Sequence, residues 1–141
     1  MGHSGQTIGR SGCTTCDITA GYNWFYNANL TPDQICDKLS YTDKVHNPTL
    51  SSGLILWDSL ENIKMKLIAR IQGRNDGAIN SAWLNPNQVC LLEVNGGSHW
   101  VFLMGAKTSR DYKIYDPFHG DICFDERYGH NITGCAILGK L

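Results

Sequence analysis

Gln88-Val89-Cys90-Leu91-Leu92-Glu93-Val94-Asn95-Gly96-Gly97-Ser98-His99-Trp100-Val101-Phe102-Leu103-Met104-Gly105 is the stretch whose reading decides the fold. Two runs rich in Val, Leu and aromatic side chains flank Asn-Gly-Gly-Ser, which is turn chemistry. That pattern predicts strands over 88–94 and 99–105, the second running back along the first. Downstream, 112–115, 121–124 and 135–138 read as further short strands. Upstream the period changes to that of a helix. Ile18, Tyr22, Phe25 and Tyr26 recur at helical spacing after Gly12 and predict a helix over 14–29. Gly21 inside it weakens the helix and marks close packing. Thr31-Pro32-Asp33-Gln34 is a strong helix start, with a capping hydroxyl followed by Pro in the first turn, and the helix is expected to reach Leu39. A third helix is expected over 54–60 and a short one over 78–84, closed by Asn85-Pro86-Asn87. Residues 65–71 fit either the end of the third helix or a strand. Helices first and an antiparallel sheet after them make an α+β domain.

The chain has 141 residues, of which 42% are hydrophobic, 18% charged and 10% aromatic, so one domain over 1–141 with a sizeable core is expected. This composition is too apolar and too weakly charged for a disordered chain. Twelve Lys and Arg against thirteen Asp and Glu give a net charge of −1. No basic face is available for nucleic acid, and no apolar run is long enough to insert into a membrane. Met1-Gly2-His3-Ser4-Gly5 has neither the basic nor the apolar part of a signal peptide, so synthesis in the cytoplasm is expected. Six cysteines are present; Cys36, Cys90 and Cys135 lie in apolar segments, and reduced thiols are the expectation for all six.

Three residues form an ordered chemical constellation. Cys13 stands at a predicted helix N-terminus, where unpaired N–H groups and the helix dipole favour a thiolate and where its own N–H can serve a developing oxyanion. His99 opens a strand after the Gly-rich turn, a place from which side chains project off a rigid scaffold. Asp116, in Ile114-Tyr115-Asp116-Pro117, ends the strand expected beside that of His99, where a carboxylate can orient the imidazole. Taken singly, each residue has a plain reading as a turn or exposed residue. Trp100 is expected on the opposite face from His99, toward the core, and is also the candidate substrate-binding residue. Cys13 and Cys16 form a C-x-x-C with no second pair at zinc-ribbon spacing, and Asp116, His119 and Asp121 read as an exposed turn. Neither a metal nor a cofactor is expected.

Ser11-Gly12-Cys13-Thr14-Thr15, the Thr31-Pro32 helix start, Gly97-Ser98-His99-Trp100-Val101 and Tyr115-Asp116-Pro117 together resemble the papain-like cysteine peptidases. The wording is closest to their double-glycine (bacteriocin-leader) peptidase-like branch. The resemblance implies an N-terminal helical lobe packed on a C-terminal antiparallel sheet with a cleft between them. It further implies Cys13 as nucleophile, His99 as base and acid, Asp116 as orienting residue, and Gln6 as side-chain oxyanion donor. The substrate class it implies is peptide, with murein stem or cross-bridge peptides favoured, as for cell-wall hydrolases and phage endolysins. Such an enzyme would need a lysis or injection system to reach the wall. The alternatives are a protease that processes leader or precursor peptides, a non-catalytic binding module, and a dithiol redox protein using Cys13 and Cys16.

Overall fold

The computed structural model describes residues 12–42, 55–108 and 111–141. Helix α1 spans Cys13–Tyr26 and begins where Gly12 turns the chain, with the Cys16 N–H donating to the Gly12 carbonyl at 2.9 Å. It stops three residues short of the expected end. Asn27 adopts the left-handed conformation at φ 47°, and the Asn23 side chain clamps Leu30 through both its Oδ1 and Nδ2. Asn tolerates that conformation better than most residues, so the helix ends there. Helix α2 spans Pro32–Cys36, and its start is the expected capping box, with the Thr31 and Gln34 side chains bonded to each other's backbone N–H. Beyond Cys36 the N–H groups of Lys38 and Leu39 reach back only three residues, so the helix expected to Leu39 tightens into turns.

The third expected helix is instead a 3₁₀ helix over Trp57–Ile63. Lys64 ends it at φ 59°, and the ambiguous segment that follows becomes strand β1, Met65–Gln72. Helix α3 spans Asp76–Leu84, capped by the Asn75 side chain on the Ala78 N–H. The remaining strands are β2 (Gln88–Val94), β3 (His99–Thr108), β4 (Asp111–Asp116), β5 (Asp121–Phe124) and β6 (Gly134–Lys140).

These six strands form one sheet in the order β1-β6-β2-β3-β4-β5, with every neighbouring pair antiparallel. The α+β class expected from the sequence is therefore present. The division into a helical half and a strand half is not as clean as expected, because β1 precedes α3 and pairs with the last strand. Nor do all the helices lie on one side. Ile18 and Phe25 of α1 pack with Val89, Leu91, Phe102, Ala136 and Leu138 on one face of the sheet. Ile79 and Ala82 of α3 pack with Cys90, Leu92, Val101, Ile114 and Ile137 on the other. Successive residues of a strand point to opposite faces, so a strand covered on both sides reads as a continuous apolar run. This explains Val89-Cys90-Leu91-Leu92 and Cys135-Ala136-Ile137-Leu138, all of which are buried.

Gly21 lies where α1 packs tightly against the sheet, in keeping with the close packing its place in the helix suggests. A Cβ there would lie 3.0 Å from Val89 Cγ2 and 3.6 Å from Met65 Cε. Gly21→Val adds a branched side chain into that contact and is expected to destabilise the fold by about 1–3 kcal/mol. Urea unfolding measures this, and an unchanged midpoint would refute the tight α1–sheet contact.

Candidate active site

The antiparallel pairing of β3 with β4 brings the start of one strand and the end of the next to the same end of the sheet. His99 is the first residue of β3 and pairs with Val94. It follows a tight turn in which Asn95, Gly96 and Gly97 all take positive φ and the Ser98 hydroxyl donates to the Asn95 carbonyl at 2.7 Å. Side-chain-free backbone at 96 and 97 suits this conformation. On β4, Tyr115 pairs with Phe102, and continuing that register sets Asp116 beside Val101 on the face that His99 shares. The His99 Nε2–H then donates to Asp116 Oδ1 at 2.7 Å.

Asp116 has no exposed surface, yet its bonding is complete. Oδ1 also accepts the Phe118 N–H at 3.0 Å, while Oδ2 accepts from Arg127 Nη1 at 3.1 Å and from the Tyr128 hydroxyl. Burial pushes its pKa up, but the hydrogen bonds from Tyr128, His99 and Arg127 outweigh burial and hold the carboxyl below its ordinary value. Arg127 is itself held by both oxygens of Asp121, each at 2.7 Å. The 3₁₀ turn carrying Arg127 and Tyr128 (Asp125–Tyr128) is anchored by buried Asp125, which accepts the Tyr112 N–H at 2.7 Å and bonds His130 at 3.0 Å.

With Nε2 committed to Asp116, Nδ1 is the ring nitrogen left for Cys13. The thiol lies at the first position of α1, and Gly12 offers no side chain to cap the free N–H groups of that helix end. Burial alone would raise the Cys13 pKa, but hydrogen bonds to His99 and to the Trp100 backbone, with the charge of His99, bring it below the ordinary thiol value. The His99 pKa is lowered by burial, and hydrogen bonds to Cys13 and Asp116 overcome this and raise it. Both shifts favour a thiolate–imidazolium pair over two neutral groups.

Cys13, His99 and Asp116 are thus brought together, each from a different element. Trp100 behaves as strand alternation predicts. Its half-buried ring packs against the α1-side core, 6.0 Å from the Trp57 ring, with the Arg70 guanidinium 4.7 Å above it. Its backbone, rather than its ring, reaches the thiol. Gln6 lies outside the described residues. Cys16 is pushed up to about 11, chiefly by burial and by the charges of Asp17, Cys13 and Asp33, so it remains a protonated thiol at neutral pH. All six cysteines are free.

Among the described residues, two groups could offer three metal ligands each: Asp111 with Asp125 and His130, and Asp116 with Asp121 and Cys123. Arginine already occupies carboxylates in both, Arg74 on Asp125 and Arg127 on Asp116 and Asp121. Cys13, Cys16 and His119 belong to neither group.

Several residues of this site escaped the sequence reading. Arg127 and Tyr128 sit in Asp125-Glu126-Arg127-Tyr128, which has only the look of a polar turn. Phe118 is 79% exposed, and its ring stands 6.0 Å from that of His99. Asp17 carried a usable signal, as an acid one turn after Cys13 on a helix face that also holds Gly21.

No protein-family model matches the chain, and a search of curated proteins finds no match either. The chemistry is read from the geometry.

Because the folded pKa of Asp116 is depressed, its contribution to stability is complete above the unfolded carboxylate value of about 3.9. It is lost as pH falls through the lower folded value. Asp116→Asn is expected to lower Tm at pH 7 and to flatten its fall below about pH 4. Thermal unfolding of both proteins across that range is the check, and parallel curves would show that Asp116 is not held ionised.

Proposed function

We propose that this protein is a cysteine endopeptidase of papain-like layout, working through Cys13, His99 and Asp116. The observation that carries the reading is the joining of three elements at one end of the sheet. The nucleophile stands on a helix N-terminus, the histidine at a strand start, and the carboxylate 2.7 Å from His99 Nε2. Their order along the chain matches that of the family the sequence resembles.

In this mechanism the Cys13 thiolate attacks the scissile carbonyl, and the N–H groups at the start of α1 receive the developing oxyanion. The imidazolium of His99 gives its Nδ1 proton to the leaving amine, and the C–N bond breaks to leave a thioester on Cys13. Neutral His99 then takes a proton from water as it attacks the thioester, the acid product departs, and Cys13 returns as thiolate. Asp116 holds the ring in place and stabilises its charged form without taking the proton. Murein stem or cross-bridge peptides are the favoured substrate class, on the resemblance alone. The dithiol redox alternative would use Cys16 as the resolving thiol, and loss of function in Cys16→Ser separates it from the peptidase reading.

Iodoacetamide labelling across pH, read for each cysteine by mass spectrometry, tests the reading. Cys13 is expected to react fast below about pH 7, well under the ordinary thiol pKa of about 8.5. His99→Ala should slow it about tenfold or more at that pH, while Cys16→Ser should leave it unchanged. Fast labelling of Cys16 in place of Cys13 would overturn the proposal. Hydrolysis then assigns the substrate. Release of peptide from purified murein supports a wall enzyme, whereas cleavage of a Gly-Gly leader peptide with murein untouched supports precursor processing.

A further inference from the structure

Asp116 can orient His99 only while its own carboxylate is kept from turning, because the two oxygens exchange places by rotation about the Cβ–Cγ bond. Oδ1 accepts from the His99 ring and from the Phe118 N–H, so the far oxygen Oδ2 supplies the remaining restraint. Two side-chain donors reach Oδ2, Arg127 Nη1 at 3.1 Å and the Tyr128 hydroxyl. They are not equivalent. Arg127 is shared with Asp121, whose two oxygens lie closer, each at 2.7 Å from Nη1 or Nη2. Asp121 stands on β5 with 46% of its side chain exposed, so Arg127 is tied to a group that water also solvates. A phenol has a single proton to donate, and that of Tyr128 goes to Oδ2.

Tyr128 is itself fixed from behind. Its half-buried ring packs against the α3-side core, and Asp125, which opens the same 3₁₀ turn, is buried and accepts the Tyr112 N–H at 2.7 Å. The centre of the Tyr128 ring lies 5.8 Å from that of the His99 imidazole, with the planes tilted by 51°. One side chain therefore approaches both members of the His99–Asp116 pair. Burial, with the hydrogen bond to Asp116 and the charge of Asp116, raises the Tyr128 pKa above its ordinary value, so the hydroxyl keeps its proton. A neutral donor restrains the carboxylate without setting a further cation beside the imidazolium, which a lysine there would do.

We infer that Tyr128 is a positioning residue: by holding Asp116 Oδ2 it keeps Oδ1 on His99 Nε2, and so keeps Nδ1 of the ring turned toward Cys13. This rests on the reading of Cys13 and His99 as nucleophile and base, and adds a fourth side chain that acts through Asp116. No proton leaves Tyr128 during the cycle.

Tyr128→Phe keeps the ring and removes the hydroxyl. Two readouts on the full chain test the inference. One is the rate of Cys13 alkylation by iodoacetamide at a pH below the ordinary thiol range. The other is nitrogen NMR of His99 once the ring is neutral, which shows which ring nitrogen carries the proton. In wild type that proton is expected on Nε2. In Tyr128→Phe it should be divided between Nε2 and Nδ1, and alkylation should slow about fivefold. Asp116→Asn leaves one carbonyl oxygen, for the His99 ring, and no acceptor for Tyr128. Adding Tyr128→Phe to Asp116→Asn should therefore change the rate no further.

A wild-type rate and tautomer in Tyr128→Phe would overturn the inference and leave Tyr128 a packing residue. Equal slowing with and without Asp116→Asn would overturn it too, because Tyr128 would not be acting through Asp116. Should Tyr128→Phe fail to fold by circular dichroism, the wild-type hydroxyl proton decides. It is expected as a slowly exchanging, downfield proton signal of a tyrosine, and its absence would overturn the inference. Ordinary thiol reactivity of Cys13 in wild type is a separate outcome that removes the nucleophile, and the His99 tautomer then still decides for or against Tyr128.

Discussion

The hydrogen bond between His99 and Asp116 holds only because Asp116 is fully paid for in donors. A carboxylate taken wholly out of water is tolerated when hydrogen bonds and an opposite charge satisfy it. Here the donors come from three places: the His99 ring on β3, the backbone at Phe118 just past β4, and Arg127 with Tyr128 on the 3₁₀ turn. That one group therefore ties together the start of a strand, the end of its neighbour and a distant turn. The turn depends in its own way on Asp125, another buried carboxylate bonded to a backbone N–H, His130 and Arg74. The orientation of His99 is thus set by a chain of buried charge that reaches well beyond the three residues named from the sequence.

The sheet supplies the rigidity this arrangement needs. Strand β6 is the last in the chain and lies inside the sheet between β1 and β2, buried along almost its whole length. Helices α1 and α3 cover opposite faces, so neither β2 nor β6 has a wet side. Cys13 rides on α1, which Gly21 allows to sit close against Val89 and Phe102. The distance from thiol to imidazole is consequently fixed by core packing between α1 and β3 rather than by any flexible loop.

Much of this was legible in advance where a local pattern carried the information. The hairpin around Asn95-Gly96-Gly97-Ser98 and the Thr31–Gln34 capping box are short-range chemistry, and both stand where expected. Residues 65–71 were ambiguous because a short apolar run suits a helix end or a strand equally; pairing with β6 made it a strand. The helix expected over 54–60 became a 3₁₀ helix, and α1 ended early because Asn27 takes the left-handed conformation and the Asn23 side chain holds the chain at Leu30. Arg127 and Tyr128 were invisible because their partner, Asp116, is more than ten residues away and nothing local distinguishes them from a solvated turn.

By itself the sequence determined the α+β class, the turn that presents His99, the helix end that presents Cys13 and the strand end that presents Asp116. Each of these follows from backbone preference and hydrophobic period, which act over a few residues. Only the tertiary structure decided the strand order, the placing of α3 on the face opposite α1, and the charge environment of the three side chains. Those depend on which groups are removed from water together. Asp116 and Asp17 are both buried acids near the same thiol, yet one is surrounded by donors and the other by acids. That difference is one of neighbours in space, and no spacing along the chain encodes it.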